Sequence, residues 1–271
     1  MSVMKIMRRI SMAVLLAIFA ASVFAGELTS YSYSSQFREV PNALPSAKHL
    51  LGTDALGRDL FARLLYGTRI SLLLAPAAAL LSTLIAGVFG AFAGLHGGWT
   101  GRIILAAADL SMALPLLFVL LALRALLPLD IPPSLSITCT FLLLGLLGWA
   151  SPLRVVCASA RSLRESGFLL MARATGCGPF RTIFKHILPN LRPVLFAQFW
   201  ISVPVFILAE ATLSMLGLGV MEPLPSWGNL LRGLEDLPAV GANPWKLAPL
   251  FALCLVVICL QMLLPVQEDV A

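Results

Sequence analysis

The chain has 271 residues, of which 59% are hydrophobic and only 12% are charged. So little polar surface cannot cover a globule of this size in water, which excludes an ordinary soluble protein. The formal net charge is +6, and because it lies in one segment it does not indicate the broad basic surface of a nucleic-acid-binding protein.

Six runs of sequence are apolar enough to cross a bilayer as helices. A spanning helix needs roughly 20 apolar residues, because the hydrocarbon core is about 30 Å thick. Spanning strands would alternate in polarity, whereas these runs are continuously apolar. We therefore predict an all-α, polytopic membrane protein. Its six spans are Ile10 to Gly26, Ile70 to Leu95, Leu110 to Leu123 with an extension back to Ile103, Ile131 to Leu153, Pro193 to Ala209 with an extension to Leu216, and Leu247 to Gln267.

The first segment, residues 1–26, has two interpretations. Its basic start, apolar core and small residues before Gly26 are typical of a cleavable signal peptide as well as of a first membrane span. We favour the membrane span, and cleavage would leave the remaining topology unchanged.

The second segment, residues 27–69, is predicted to lie outside the membrane. Pro41 and Pro45 mark a linker. Asp54 is a suitable N-cap for an interfacial helix that tethers the first span. The apolar face of that helix would carry Leu56, Leu60, Leu64 and Leu65.

Two acidic residues lie close to the membrane interior. Asp109 is about six residues, hence roughly 9 Å, into the third span. Glu210 lies near the outer end of the fifth span. Such acids are costly unless they face a cavity or a partner. For Asp109 a structural role is favoured, and for Glu210 a structural role and a place on a translocation path are equally open.

The basic residues predict the orientation. Residues 150–192 contain seven basic residues and one acid, so this loop alone accounts for the net charge of +6. Cytoplasmic loops are enriched in Lys and Arg. We therefore predict that this loop and the N-terminus, which carries Lys5, Arg8 and Arg9, are cytoplasmic.

The basic loop itself has a helical pattern interrupted by a turn. The sequence predicts a helix over about 167–175, a left-handed cap at Gly176, and a second helix that Pro179 opens and Leu188-Pro189 ends. The second helix has one apolar face, while Arg181 and Lys185 share the opposite face. The apolar face comprises Phe180, Ile183, Phe184 and Ile187. Such a helix can rest on anionic headgroups or dock on a cytoplasmic protein.

No sequence pattern indicates a catalytic, cofactor or metal site in this chain. The phosphate-binding pattern of ATPases is missing, so any ATP must be held by a partner. His49, His96 and His186 are too scattered for a local metal site, and the five cysteines include no CxxC pair. We therefore expect a non-enzymatic subunit without a cofactor of its own.

The loop "ARATGCGPFRTIFKHILPN", residues 172–190, resembles the cytoplasmic signature loop of ABC importer permeases. Ala172, Gly176, His186 and the pair Leu188-Pro189 match that pattern. Leu170 and Met171 stand where the family has Glu and Ala.

Three further segments resemble the dipeptide, oligopeptide and nickel branch of the same family. They are "HLLGTDALGRDLFARLLYGTRISL" at 49–72, "GGWTGRIILAAADLSMALP" at 97–115, and "EATLSMLGLGVMEPLPSWGNLL" at 210–231. Four such segments in the family's order are far more specific than any one of them.

The resemblance implies a type I ABC importer permease fold in the bacterial inner membrane. It implies a permease domain over 70–264, a coupling loop over about 158–190 and a short tail over 265–271. Implied partners are a second homologous permease, two cytoplasmic ATPases that hold ATP and Mg²⁺, an extracytoplasmic solute-binding protein, and membrane lipid. In such transporters, closure of the ATPases is transmitted through the loop helix and alternates access to a central cavity.

The resemblance also assigns roles within the loop. Phe180, Ile183 and Phe184 would provide buried contact with the ATPases, while Arg181 and Lys185 would steer docking. The substrate stays open between dipeptides, longer peptides, nickel chelates and other small solutes. The alternatives to this function are an ion-gradient-driven secondary transporter, for which no internal repeat is visible, and a membrane scaffold without transport.

Overall fold

The computed structural model of the protein describes residues 2–126, 132–164, 166–167, 169, 171, 176–235, 240–241 and 243–264. Within these ranges the regular secondary structure is helical, with no β-strand, and residues 29–59 form turns and loops. Its extended contacts are two isolated bridges, Gln36 with Arg58 and Thr53 with Asp59. The predicted all-α class is therefore confirmed.

The helices follow the chain in the order that the apolar runs predict. They are α1 Ser2–Val23, α2 Ala25–Leu28, α3 Leu60–His96, α4 Gly98–Ala113, α5 Leu116–Ala125, α6 Pro133–Leu147, α7 Ala150–Leu163, α8 Pro179–Thr182, a π-helical segment Ile183–Ile187, α9 Leu188–Asn190, α10 Arg192–Met215, α11 Trp227–Arg232, a 3-10 turn Pro244–Leu247 and α12 Ala248–Met262.

Helix length and composition agree with the predicted number of spans. In the part of the chain that the structure describes, five stretches are long and apolar enough to cross a membrane, and the bent pair α4 and α5 brings the number to six when it is counted as one span. The fourth span is longer than predicted, because α6 and α7 together reach Leu163. The helix thus extends ten residues beyond the predicted end at Leu153.

The third span is sharply bent, which the continuous apolar run did not indicate. Helices α4 and α5 meet at an angle of 81° across a short break. Leu114 in the break is extended, with φ −86° and ψ 127°. A residue that precedes proline avoids the helical region, and Pro115 follows Leu114. The bend therefore has a local cause in the sequence.

The second span begins earlier than predicted, and the interfacial helix capped by Asp54 is not formed. Asp54 closes a turn instead, since its Oδ1 accepts hydrogen bonds at 2.9 Å from the backbone N–H groups of Leu56 and Arg58. Gly57 in this turn has φ +74°, which a helix cannot include. The N-cap is Asp59, whose Oδ1 accepts from the N–H of Ala62 at 2.7 Å. Helix α3 then runs without interruption from Leu60 to His96.

The chain divides into two compact units. One comprises Met1–Ala75, Arg124–Phe141 and Pro204–Ala271, and the other comprises Pro76–Leu123 and Leu142–Val203. The first unit contains residues 27–69, the helices α1 and α12, and the exit of the fifth span. The second unit contains the basic loop. Two of the boundaries fall at prolines within helices, Pro76 in α3 and Pro204 in α10.

Candidate functional site

The basic loop has the predicted turn and the predicted second helix start. Gly176 has φ +75°, the left-handed conformation of a helix cap. Helix α8 begins at Pro179. Ala172 lies outside the described residues, as does most of the predicted helix over 167–175. The described part of the site is therefore the segment from Gly176 to Arg192.

The second loop helix does not stop at Leu188-Pro189. From Ile183 to Ile187 the helix widens to the π form, in which the N–H of Leu188 bonds the carbonyl of Ile183 five residues earlier. Pro189 then occupies the first turn of α9, where its missing N–H costs little. The helix therefore continues to Asn190. We refer to Pro179–Asn190 as the loop helix.

Only one residue separates the loop helix from the fifth span. The N–H of Leu191 reaches the carbonyls of Ile187 at 2.9 Å and Leu188 at 3.2 Å. The carbonyl of Leu191 accepts from the N–H of Leu195 in α10 at 2.8 Å. Hydrogen bonds of helical type therefore bridge the break, and the loop helix passes almost directly into a membrane helix.

The predicted apolar face of the loop helix is divided between two environments. Ile183 and Ile187 are 2% and 0% exposed, whereas Phe180 and Phe184 are 72% and 56% exposed. The prediction that Ile183 provides buried contact with a partner is therefore wrong, because the protein's own core already covers this side chain. Residues four apart share a face of a helix, so the two isoleucines form one row and the two phenylalanines form another.

The buried row fixes the loop helix to the membrane domain. Ile183, Ile187 and Leu191 belong to one apolar cluster in the second unit. The same cluster includes Leu95 at the end of α3 and Val156 of α7. Burial of the two isoleucines and Leu191 removes several hundred Å² of apolar surface from water, at roughly 25 cal/mol per Å². The loop helix is thus held as part of this unit.

The exposed row lies beside the basic residues. Arg181 and Lys185, like Phe180 and Phe184, are exposed. We call these four residues the docking surface. It combines two aromatic rings with two cations, a composition that suits a protein interface better than water, because exposed aromatic rings are poorly solvated.

Two of the remaining signature residues, Leu188 and Pro189, lie beside the fifth span. Leu188 and Pro189 line an apolar cavity of about 860 Å³ within the second unit, together with Phe184, Phe196 and Phe199. His186 accepts, through its backbone carbonyl, a hydrogen bond of 2.6 Å from the Asn190 side chain. The imidazole itself has no bonded partner among the described residues, so its role stays a prediction.

Asp109 forms an ion pair with Arg154 within the second unit. The Nε of Arg154 donates to Asp109 Oδ1 at 2.8 Å, and a second guanidinium nitrogen donates to the same oxygen. Both side chains are about half exposed in this chain. The pair links α4 to α7, two helices that pack against each other. The ion pair favours a structural role for Asp109, and that role stays a prediction.

We expect the Asp109 and Arg154 side chains to stabilise the protein as a pair. In a double-mutant cycle, Asp109→Ala, Arg154→Ala and the double variant should give a coupling of about 0.5–1 kcal/mol, since the pair is partly exposed. Thermal unfolding of the detergent-solubilised protein measures the three differences. Strictly additive effects would mean that the two charges act independently.

Glu210 is fully buried in the first unit. Its Oε1 accepts a hydrogen bond from Ser214 Oγ at 2.6 Å, and Ser214 Oγ accepts from the N–H of Val220 at 3.0 Å. The carboxyl group is thereby connected to the turn that follows α10, in which Gly217 has φ +77°. Enclosure by the unit's own residues favours the structural alternative, while its part in transport stays a prediction.

Sequence reasoning overlooked two groups of buried charges, both in the first unit. Arg124 is 7% exposed and donates to the carbonyl of Leu218 at 2.9 Å and to Ser136. Arg63 is 2% exposed and binds Glu222, as does Arg58. A charge beside an apolar run was the available signal. The partners were not, because Leu218 lies 94 residues from Arg124 and Glu222 lies 159 residues from Arg63, although Ser136 is only 12 residues from Arg124.

The described residues offer no site for a metal ion or a disulfide. No group of three potential metal-binding side chains occurs among them. All five cysteines are free.

Comparison with known proteins identifies the family. The family model described as "Binding-protein-dependent transport system inner membrane component" matches residues 86–267, more than half of the chain. The chain is 33% identical to the oligopeptide transport system permease protein OppC of Bacillus subtilis, over 88% of this chain and 75% of the relative. It is 39% identical to a putative peptide permease protein of Brucella suis, over 81% and 71%.

A third relative is the dipeptide transport system permease protein DppC of Bacillus subtilis, which is 34% identical over 86% of this chain and 70% of the relative. These matches cover most of both chains and include the basic loop. The family that the four sequence segments indicated is thus confirmed, as is the predicted permease fold. The protein is a multi-pass membrane protein. The chain belongs to the binding-protein-dependent transport system inner membrane components, in the ABC importer branch that contains the oligopeptide and dipeptide permeases.

Proposed function

We propose that this chain is one of two membrane-spanning subunits of an ATP-driven importer of peptides, and that its loop helix receives the movement of the partner ATPases. The observation that carries the proposal is the division of the loop helix into a row buried in the membrane domain and an exposed row of Phe180 and Phe184.

The exposed row supports a protein partner in preference to headgroups alone. Headgroup binding needs cations and a shallow apolar surface. The docking surface adds two adjacent aromatic rings that are 72% and 56% exposed. Aromatic side chains next to cations are typical of the residues that dominate binding energy at protein interfaces. The docking surface therefore fits a groove on an ATPase, with Arg181 and Lys185 steering the approach.

The buried row supports transmission of force. An ATPase docked on Phe180 and Phe184 would push or pull on the loop helix. The opposite side of this helix, with Ile183 and Ile187, belongs to the core of the second unit. The same helix continues through Leu191 into α10. Cores are close-packed and resist compression, so a displacement of the loop helix is passed on to α10 and not absorbed locally.

The relatives favour peptides as the substrate. Those compared with the chain are named as oligopeptide, dipeptide and putative peptide permeases. Identity of 33–39% over most of the chain supports the same class of substrate here. Energy would come from ATP and Mg²⁺ on the partner ATPases, and the orientation would place the loop helix in the cytoplasm, in accordance with its basic residues.

Truncation of the docking surface should uncouple transport. We expect Phe184→Ala and, separately, Phe180→Ala to reduce ATPase co-purification and binding-protein-stimulated ATP hydrolysis tenfold or more, because loss of an interface aromatic costs about 1–3 kcal/mol. The measurement uses proteoliposomes of the complete complex. Phe180 does not line the cavity beside Phe184, so its variant tests docking free of any change in that cavity.

Phe118→Ala is the matched control. Phe118 is 68% exposed and lies in α5, outside the basic loop in sequence. Its truncation should leave stimulation unchanged. Retention of the ATPases and full stimulation in both loop variants would refute the docking role. Activity that depends on anionic lipid and is unaffected by either loop variant would show that the loop helix binds headgroups.

A further inference from the structure

The apolar cavity of about 860 Å³ beside the loop helix has a lining of unusual composition. Its walls come from α3, from the end of the loop helix and from the start of α10. A Cβ at Gly87 would lie 3.1 Å from the Leu195 side chain and 3.7 Å from the Leu188 side chain, so the three helical segments meet at this level. The described lining contains one charged residue, Arg192, and one uncharged polar residue, Thr83. The cavity is therefore an apolar space with a single cation.

The cavity opens on the surface of the chain, within the predicted second and fifth spans. Leu80, Leu84 and Phe196 line it and are 51%, 57% and 58% exposed. Its α3 lining extends from Pro76 to Val88, which is about 18 Å along a helix that rises about 1.5 Å per residue. One bilayer leaflet contributes about 15 Å of hydrocarbon, half of a core of about 30 Å. The cavity thus has the length of one acyl chain.

Arg192 lies at one end of the cavity, where the loop helix passes into α10. Its side chain is exposed and forms no ion pair with any residue that the structure describes. The basic residues of the loop predict that this end is cytoplasmic. The cytoplasmic leaflet is the one that carries anionic lipid, and its negative surface attracts Lys and Arg beside a membrane helix. The charge of Arg192 therefore complements an anionic headgroup at the end of an acyl-chain-sized space.

The lining also distinguishes a lipid from a transported peptide. A peptide carries a terminal ammonium group and polar amides. The described lining offers no carboxylate for the ammonium and a single hydroxyl for the amides. Polar groups that are buried without partners are costly. An anionic phospholipid needs only an apolar space for its chain and a cation beside its phosphate, and the cavity supplies both.

We propose that this cavity binds one anionic phospholipid of the cytoplasmic leaflet, with an acyl chain against α3 and α10 and the phosphate beside Arg192. Phe184 belongs to the cavity lining as well as to the docking surface. The bound chain therefore contacts an aromatic ring of the docking surface. The inference goes beyond the proposed function and does not depend on it, because binding of the lipid needs the membrane and no ATP.

The test measures retained lipid by native mass spectrometry. The full chain, alone and in the complete complex, is released from nanodiscs that contain equal amounts of phosphatidylglycerol and phosphatidylcholine. We expect selective retention of one phosphatidylglycerol. Arg192→Gln should reduce the selectivity about fivefold, since one basic residue changes binding to an anionic surface by about this factor. Arg192→Lys should keep it. Arg102→Gln is the matched control, because Arg102 is another exposed cation at the start of a predicted membrane helix and lies outside the cavity.

Two further variants test the place of the acyl chain. Ala77 lines the end of the cavity that is remote from Val88. Ala77→Phe should shift retention from long to short acyl chains, because the ring shortens the available space. The Thr83 hydroxyl is buried and has no bonded partner among the described residues. Thr83→Val should leave retention unchanged, because an acyl chain offers that hydroxyl no partner either.

Four outcomes would overturn the inference. Equal selectivity in the wild type and Arg192→Gln would remove the role of the cation, and an equal loss in Arg102→Gln would show a general effect of charge. Loss of retention in Thr83→Val would indicate an occupant with a polar group at that depth. Retention by the chain alone but not by the complex would assign the cavity to the second permease subunit. Lipid retention is measured without ATP hydrolysis, so failure of the loop variants to uncouple transport would count against the proposed function alone.

Discussion

Gly94→Ala is expected to destabilise the membrane domain by about 2–3 kcal/mol, although it adds a single methyl group. A Cβ at Gly94 would lie 2.6 Å from the Cβ of Ala160 and 2.7 Å from the carbonyl oxygen of Cys157. Both atoms belong to α7, and neither is the tip of a flexible side chain. Gly90, one turn earlier, makes a similarly close approach to the carbonyl of Leu153. Small residues thus let α3 and α7 approach closely, as in other membrane helices.

The effect of Gly94→Ala should reach the loop helix. Forcing α3 and α7 apart opens the cluster that contains Ile183 and Ile187. We therefore expect both a lower melting temperature in detergent and a reduced yield of the complex with ATPases.

Gly87→Ala is the matched control for Gly94→Ala. It lies two turns earlier in α3, and its added Cβ would meet the tip of the Leu195 side chain at 3.1 Å. That tip can move, and alanine is the better helix former by about 0.5–1 kcal/mol. Gly87→Ala should therefore be neutral or slightly stabilising. Equal melting temperatures for the two variants would contradict the packing argument.

Glu222→Ala is expected to destabilise the predicted external part by about 3 kcal/mol. Glu222 is half exposed and binds Arg58 and Arg63, which are 11% and 2% exposed. Removal of the carboxylate leaves the Arg63 guanidinium buried, with Asp54 at 3.9 Å as its nearest remaining acid. The cost arises because the buried Arg63 cation loses its partner. The half-exposed carboxylate of Glu222 would by itself contribute little to stability.

Thermal unfolding of the isolated chain in detergent measures this effect. Glu39→Ala removes the same charge from an exposed position in the same segment, for which the described residues provide no ion pair. It should shift the melting temperature by less than a degree or two. Glu222→Gln should lie between the two variants, because the amide keeps one hydrogen-bond acceptor. An equal effect of the two alanine variants would show that the buried arginines need no counter-charge.

The spans could be predicted from the sequence because each is an apolar run of sufficient length. The start of α3 could not be predicted in this way. The apolar run of this span starts at Ile70, directly after the charged Arg69. The helix itself begins nine residues before Arg69, at Leu60, and includes Arg63. Arg63 is tolerated there because Glu222, 159 positions later, binds it. No local pattern contains that partner.

The structure of the coupling loop was predicted only in part, because some of its features depend on local sequence and others on distant residues. Gly176 and Pro179 act through their own backbone preferences, so the turn and the helix start follow from local sequence. Which side of the helix faces the core depends on α3 and α7, which cover Ile183 and leave Phe184 exposed. Periodicity alone placed both residues on one face. The bend at Pro115 could have been predicted from the proline itself. It was overlooked because the third span was identified only by its continuous apolar run.

The single residue between the loop helix and α10 sets the rotational phase between them. A helix turns by about 100° per residue, so the insertion or removal of one residue near Leu191 would rotate the face of the loop helix by more than a quarter turn relative to the membrane helix. The side chain of Leu191 is 2% exposed and packed in the core, so the backbone at this position cannot rearrange to compensate for such a change. Among homologous chains, this stretch should therefore vary in residue type but not in length, unlike an ordinary surface loop.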